Sequence, residues 1–192
     1  MPEGRHQIVL VRHGETEWSK SGRHTSRTDL PLTEAGRERA AALRSQLAAP
    51  EWSFALVLSS PLKRARETAE LAGFGGRLSL EDDLREWDYG EYEGVTTPEI
   101  REQRPDWWLW RDGCPGGELP AQVGVRADRV LVRARAADGD VLVFAHGHIL
   151  RVLTARWLEM GVEAGARFAL SAGSVSVLGY ERDTEVVRRW NA

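Results

Sequence analysis

Short apolar runs of strand length alternate along this chain with stretches of helical period, and that alternation restricts the fold more than any other feature. Strands are expected at Gln7 to Val11, Phe54 to Ser59, Arg77 to Leu80, Val141 to Ala145 and Ser174 to Gly179, with a last one at Glu185 to Trp190. Four helices fall between them. The first runs from Thr33 to Leu47, with Thr33 as N-cap and Ala40, Leu43 and Leu47 on one face. The second covers Pro61 to Ala72, with Ser60 as cap, Pro61 in the first turn and Gly73 as stop. A third, Pro120 to Ala137, keeps Val123, Ala127, Val130 and Ala134 in phase, and a fourth runs from His148 to Met160. Strand followed by helix is the pattern of an α/β sheet with crossover connections.

Composition narrows the class of partner. At 192 residues, 42% hydrophobic and 29% charged, the chain is long enough to bury a sizeable core and is expected to form one domain, residues 1–192. Its net charge of -3 provides no basic excess for a nucleic-acid backbone, so no nucleic-acid partner is expected. Cys114 is the single cysteine, which excludes an internal disulfide framework and fits a reducing cytoplasm. Met1-Pro2-Glu3-Gly4-Arg5 leads into an apolar run too short for a signal-peptide core, and no stretch reaches the length of a membrane span. A cytoplasmic protein without a membrane partner is therefore expected; its oligomeric state is open.

Open α/β sheets place their sites beyond the carboxyl ends of the strands. His13 lies there after the first strand, within Val11-Arg12-His13-Gly14-Glu15-Thr16; Arg64 follows the second, Glu86 the third, and His146 the Val141 to Ala145 run. Two histidines, two arginines and a carboxylate thus converge on one edge. Such a set suits a phosphate ester, with arginines on the equatorial oxygens and a histidine attacking phosphorus. Taken singly, each residue also has an ordinary reading. His13 alone would be a strand-end histidine satisfied by backbone, Arg64 belongs to the basic run Lys63-Arg64-Ala65-Arg66, and Glu86 stands among Glu81, Asp82, Asp83, Asp88, Glu91 and Glu93. His146 and His148 form a His-x-His pair, but no carboxylate or third histidine stands at a matching local spacing, so no metal is expected.

Several motifs go further. Arg12-His13-Gly14-Glu15-Thr16, Asp29-Leu30-Pro31-Leu32-Thr33-Glu34-Ala35-Gly36, Ser60-Pro61-Leu62-Lys63-Arg64-Ala65 with Thr68-Ala69, Leu84-Arg85-Glu86 with Gly90 and Glu93-Gly94, and His146-Gly147 follow one another over nearly the whole chain. In that order and spacing the chain resembles the histidine phosphatase, or phosphoglycerate mutase-like, superfamily. The resemblance implies a three-layer sandwich with a mostly parallel central sheet flanked by helices. It implies His13 as the phosphorylated nucleophile, Arg12, Arg64 and His146 as the phosphate pocket, and Glu86 as the proton donor. Ser19 stands where family members commonly carry asparagine, replacing an amide by a hydroxyl that still donates. The segments Trp18 to Arg23, Glu86 to Gly94, Trp110 to Cys114 and Ala145 to His148 resemble a subgroup with fungal sedoheptulose-1,7-bisphosphatase and actinobacterial acid phosphatases. Phosphoglycerate mutases resemble the chain less, being usually longer and carrying an insertion before the second histidine.

The activity implied is cofactor-independent, metal-independent hydrolysis of a small phosphorylated metabolite, a sugar phosphate or bisphosphate, releasing inorganic phosphate. A mutase and a non-catalytic phospho-ligand binder are the alternatives. A neutral His13 and a protonated Glu86 together imply a bell-shaped pH profile on the acidic side of neutrality. Substrate choice is expected in residues 89–119, rich in glycine, proline and aromatics, which read as a lid. Arg111 is expected to reach a second anionic group, while Trp107, Trp108 and Trp110 either pack the core or stack on a sugar. Arg23, His24 and Thr25, just after the nucleophile, either bind substrate or turn the chain; Ser19, Gly147 and His148 complete the candidate substrate contacts.

Overall fold

β1 (Ile8–Arg12) and β4 (Asp140–Ala145) pair in parallel at the centre of a six-stranded sheet, with Ile8 opposite Val141 and Arg12 opposite Ala145. The computed structural model describes residues 6–192; the Met1–Arg5 leader reading lies outside them. Both central strands are apolar at nearly every position, as a strand covered on two faces must be. The period of two divides them between two cores. Val9, Val11, Leu142 and Phe144 face α2 (Glu34–Leu47) and α3 (Lys63–Leu71), while Ile8, Leu10, Val141 and Val143 face α6 (Pro120–Arg135) and α7 (Gly147–Trp157).

The strand order is β3-β2-β4-β1-β5-β6. β2 (Phe54–Ser59) pairs in parallel with β4 and with β3 (Ser79–Leu80), and an antiparallel hairpin, β5 (Val175–Glu181) and β6 (Thr184–Arg189), closes the other side of the sheet. This is the mostly parallel, helix-flanked α/β sheet the motifs imply. Order and register matter most for the site. The carboxyl ends of β2, β4 and β1 stop level with one another, so Ser60, His146 and His13 leave the sheet side by side; Ser60 N–H donates to Phe144 (2.9 Å) and His13 N–H to Ala145 (3.0 Å).

Two glycines then lock the turn after β1. A Cβ on Gly14 would lie 2.5 Å from the Gly36 carbonyl oxygen, and one on Gly36 would lie 2.3 Å from the Glu15 carbonyl oxygen. Only glycine permits that approach of two backbones. Thr33, the expected N-cap of α2, accepts from Gly36 N–H at 3.0 Å and donates to the Glu15 carboxylate at 2.9 Å, so helix start and turn form one unit.

Some boundaries differ from the sequence reading. α3 begins at Lys63 rather than Pro61, with Leu62 at the cap position and no side-chain cap bond. The Ser60 hydroxyl does accept from Leu62 N–H at 3.3 Å, but it also holds His146. Residues 89–119 contain no long helix but do contain α4 (Thr97–Gln103) and α5 (Leu109–Asp112), and α1 (Glu17–Ser21) follows the Arg12–Thr16 motif. α1 and α4 start on capping boxes, Thr16 with Ser19 and Thr96 with Glu99; the second is a legible Thr-x-x-Glu signature.

Candidate active site

His13 Nδ1 lies 2.7 Å from the Gly14 carbonyl oxygen. A carbonyl only accepts, so Nδ1 carries the proton and Nε2 keeps the lone pair. The ring is buried and lies on the wall of a cavity of about 380 Å3. Burial first, then the positive charges of Arg64 and Arg12, hold this imidazole neutral to well below its ordinary titration range. His146 packs against it, ring centroids 5.1 Å apart. Arg64 Nε donates to His146 Nδ1 (3.1 Å), which leaves the His146 proton on Nε2, donated to Ser60 Oγ (2.8 Å). Burial, then Arg64, keep His146 neutral as well.

Arg64 is fully buried beneath this layer. Its guanidinium also donates to the carbonyls of Thr28 (3.2 Å), Thr25 (3.1 Å) and Ser26 (3.4 Å), tying the loop after α1 to the start of α3. Arg12 lines the cavity itself. Its Nη1 donates to the Leu170 carbonyl, while its Nε is buried with no hydrogen-bond partner among the described residues. An unpaired buried N–H of a cation is costly, and an anion in the cavity is its natural partner.

The Glu86 carboxyl reaches the cavity from the segment after β3 and sits on the N-terminus of α7. Oε1 accepts N–H bonds from Trp87 and Ile149, and Oε2 accepts one from His148, all at 2.9 Å. The free N–H groups of a helix start favour an acceptor there. Oε2, with one donor where Oε1 has two, keeps an open lone pair. Gly147 lies between Glu86 and Arg12: a Cβ there would be 3.5 Å from the guanidinium carbon and 3.6 Å from Oε2, filling the space that separates them.

The far wall is aromatic and basic. Tyr89 Oη lies 2.6 Å from His148 Nδ1, and His24 packs tilted against Tyr89 at 4.6 Å, its own Nδ1 buried with no hydrogen-bond partner among the described residues. Burial, then the Glu86 charge, push the Tyr89 hydroxyl well above its usual range, so it stays protonated. Trp107 and Trp110 are buried and Trp108 is 39% exposed, yet all three border the cavity, so packing and lining are one role here. Arg23 and Arg101 stand at the mouth, and Arg151 lies over the Trp110 ring at 4.7 Å.

The expected site residues thus come together with one exception. Arg12, His13 and Glu86 line the cavity, Arg64 and His146 lie directly beneath, and Ser19, Arg23, His24, Thr25, Gly147 and His148 border it. The Ser19 hydroxyl is already engaged, donating to the Thr16 carbonyl at 3.0 Å within the capping box. Arg111 is not brought to the cavity. Asp112 holds its guanidinium through two bonds (2.7 and 2.8 Å), and that pairing pulls the Asp112 carboxyl down to about 2. Arg101 and Arg151, not singled out from sequence, stand at the cavity instead. Among the described residues, no group of three or more His, Cys, Asp or Glu is gathered as a metal-ligand set, and no helix is long and apolar enough to cross a membrane.

Residues 8–192 match the histidine phosphatase superfamily, branch 1. The chain belongs to that superfamily and is an enzyme of the phosphatase class. It is 43% identical to an acid phosphatase of Mycobacterium tuberculosis, over 92% of this chain and 87% of the relative. It is 38% identical to the sedoheptulose 1,7-bisphosphatase of Saccharomyces cerevisiae, over 85% and 71% respectively. A solved structure of a Mycobacterium tuberculosis open reading frame superposes with a TM-score of 0.91 at 41% identity, covering 97% of each chain.

Proposed function

We propose that this enzyme hydrolyses a small phosphorylated metabolite, a sugar phosphate or bisphosphate, through a phosphohistidine on His13, with no metal required. The observation that carries this reading is the His13 tautomer: Nδ1 carries the proton and donates it to the Gly14 carbonyl, and a neutral Nε2 is left on a cation-lined cavity. Nε2 forms the bond to phosphorus as the ester P–O bond breaks, and Glu86, protonated at the open position on Oε2, gives its proton to the departing oxygen. Arg12, with the buried charge of Arg64 behind it, stabilises the negative charge on the three equatorial oxygens. In the second step a water attacks phosphorus and gives its proton to Glu86. The N–P bond breaks, His13 regains its lone pair, and inorganic phosphate leaves.

Arg23 and Arg101 at the mouth take the role the sequence pointed to in Arg111, holding a second anionic group, and His24 and Trp108 face the carbon skeleton. The test is phosphate release by the purified protein in chelator without any bisphosphate primer, comparing sedoheptulose 1,7-bisphosphate with a nitrophenyl phosphate, together with quenched-flow mass spectrometry of the His13 peptide. A phosphoryl adduct on His13, labile in acid and stable in alkali, supports the proposal. Turnover without an adduct, or turnover that depends on a primer, overturns it.

A further inference from the structure

The segment that carries Glu86 is not held by packing alone. Behind it lies a second cavity of about 250 Å3, bordered by Glu86 itself and by Ser26, Leu62, Asp88, Glu118 and Arg126. A residue with a cavity on each side has little packing to hold its backbone, yet a proton donor must be held to a fraction of an ångström for proton transfer. Arg126, 8% exposed on α6, supplies the restraint through five hydrogen bonds, as many as a guanidinium has N–H groups. Nη1 donates to the carbonyls of Asp83 and Arg85 (2.7 Å each), and Nη2 donates to the carbonyl of Glu86 (3.2 Å). Nε and Nη2 grip the Glu118 carboxylate in a two-pronged pair at 2.7 and 2.8 Å.

Glu118 closes the frame from the other side. Its Oε2 also accepts from Asp88 N–H (2.8 Å), its carbonyl accepts from Trp87 Nε1 (3.0 Å), and its own N–H donates to the Asp88 carbonyl (2.9 Å). Asp83, Arg85, Glu86, Trp87 and Asp88 are all bonded to this one ion pair. Neither partner lines the substrate cavity.

We infer that Arg126 and Glu118 are positioning residues for the proton donor: they fix the backbone from which Glu86 reaches the departing oxygen. Lysine at 126 keeps the charge but has three donors on one atom and no fork, so it cannot span three carbonyls and a carboxylate. This inference rests on Glu86 being the proton donor, and the leaving group separates the two ideas. An alkyl alcohol departs poorly without a proton, whereas nitrophenolate departs readily as the anion.

The experiment measures kcat/KM for a glycerol phosphate and for a nitrophenyl phosphate in Glu86→Gln, Arg126→Lys, Glu118→Gln and the double variant Glu86→Gln with Arg126→Lys, alongside the inhibition constant of inorganic phosphate. General acid catalysis is worth roughly 10²- to 10⁴-fold, so a misplaced donor is expected to cost the alkyl ester about tenfold or more beyond the aryl ester in Arg126→Lys. Glu118→Gln, nearly isosteric and with only one acceptor oxygen to divide between Arg126 and Asp88, is expected to show the same selectivity at about threefold. Phosphate inhibition should stay within twofold, and Arg126→Lys should add less than twofold to Glu86→Gln, since a donor already removed cannot be misplaced.

Equal losses on both esters, or full additivity in the double variant, overturn the inference. If Arg126→Lys fails to fold, Glu118→Gln decides by the same criteria. A Glu86→Gln enzyme that loses both esters equally overturns the proton-donor reading itself; a selective Glu86→Gln beside unselective Arg126 and Glu118 variants overturns the brace alone.

Discussion

The two sides of the cavity are built by different means. On the side of the proposed nucleophile, His13 and His146 are buried at the ends of neighbouring strands and Arg64 in the first turn of α3, and their positions follow from sheet register, two glycines and hydrogen bonds among themselves. On the far side, Arg23, Arg101 and Trp108 are exposed, borne by a loop and short helices. Chemistry is set by backbone register, which tolerates no adjustment, whereas selection is set by side chains on short elements, which can be exchanged one at a time.

That contrast can be broken or sharpened. The largest effect should come from His13→Ala, with phosphate release falling at least ~10⁴-fold while the protein stays folded. A loss of that size from any single residue in 89–119 would contradict the division. Next is Gly36→Ala, far from substrate but forced into the Glu15 carbonyl; it should destabilise the fold by about 1–3 kcal/mol, seen in urea unfolding, and slow turnover by displacing the His13 turn.

Acid should act on the nucleophile side. The unfolded chain protonates His13 and His146 near pH 6.5, whereas burial and the neighbouring arginines delay this in the folded protein to well below that value. The unfolded state therefore binds more protons in the interval. Stability contributed by these histidines is complete above about pH 6.5 and declines as pH falls through the range beneath it. Urea midpoints between pH 7.5 and 5.5 test this, and substituting His146 with Gln should flatten the slope.

Smaller effects belong to the rim. Arg23→Ala and Arg101→Ala should each raise KM for a sugar bisphosphate about tenfold, with a nitrophenyl phosphate changing less than twofold. Arg111→Ala, at the bottom of the scale, should leave both substrates within twofold, because its charge is already neutralised by Asp112.

The nucleophile side was the legible one. β-Branched runs ending in Arg12-His13-Gly14 and Ala145-His146-Gly147 announce buried parallel strands with reactive ends, and Thr33 announces the helix that braces them. Long-range partners were not legible. Ser60 reads as a helix cap, but His146, 86 residues away, takes its hydroxyl. Arg126 reads as one more arginine in a basic helix, since nothing local shows that three carbonyls from residues 83–86 lie within its reach. Arg111 fails for the opposite reason: its decisive partner is its immediate neighbour, and a sequence pattern does not weigh a local ion pair against a distant ligand.

The register of β1 against β4 also sets what evolution can vary. The rings of His13 and His146 lie 5.1 Å apart, close to the spacing of adjacent strands, so the sheet itself acts as the ruler for the pair. One residue inserted into either strand would shift its histidine by about 3.3 Å and turn it to the opposite face of the sheet. Insertions in the exposed turn 104–106, between α4 and α5, shift no strand and meet no such penalty. Descendants of this chain are thus free to change length around the mouth and acquire new substrates, while the distance between the two imidazoles is inherited unchanged.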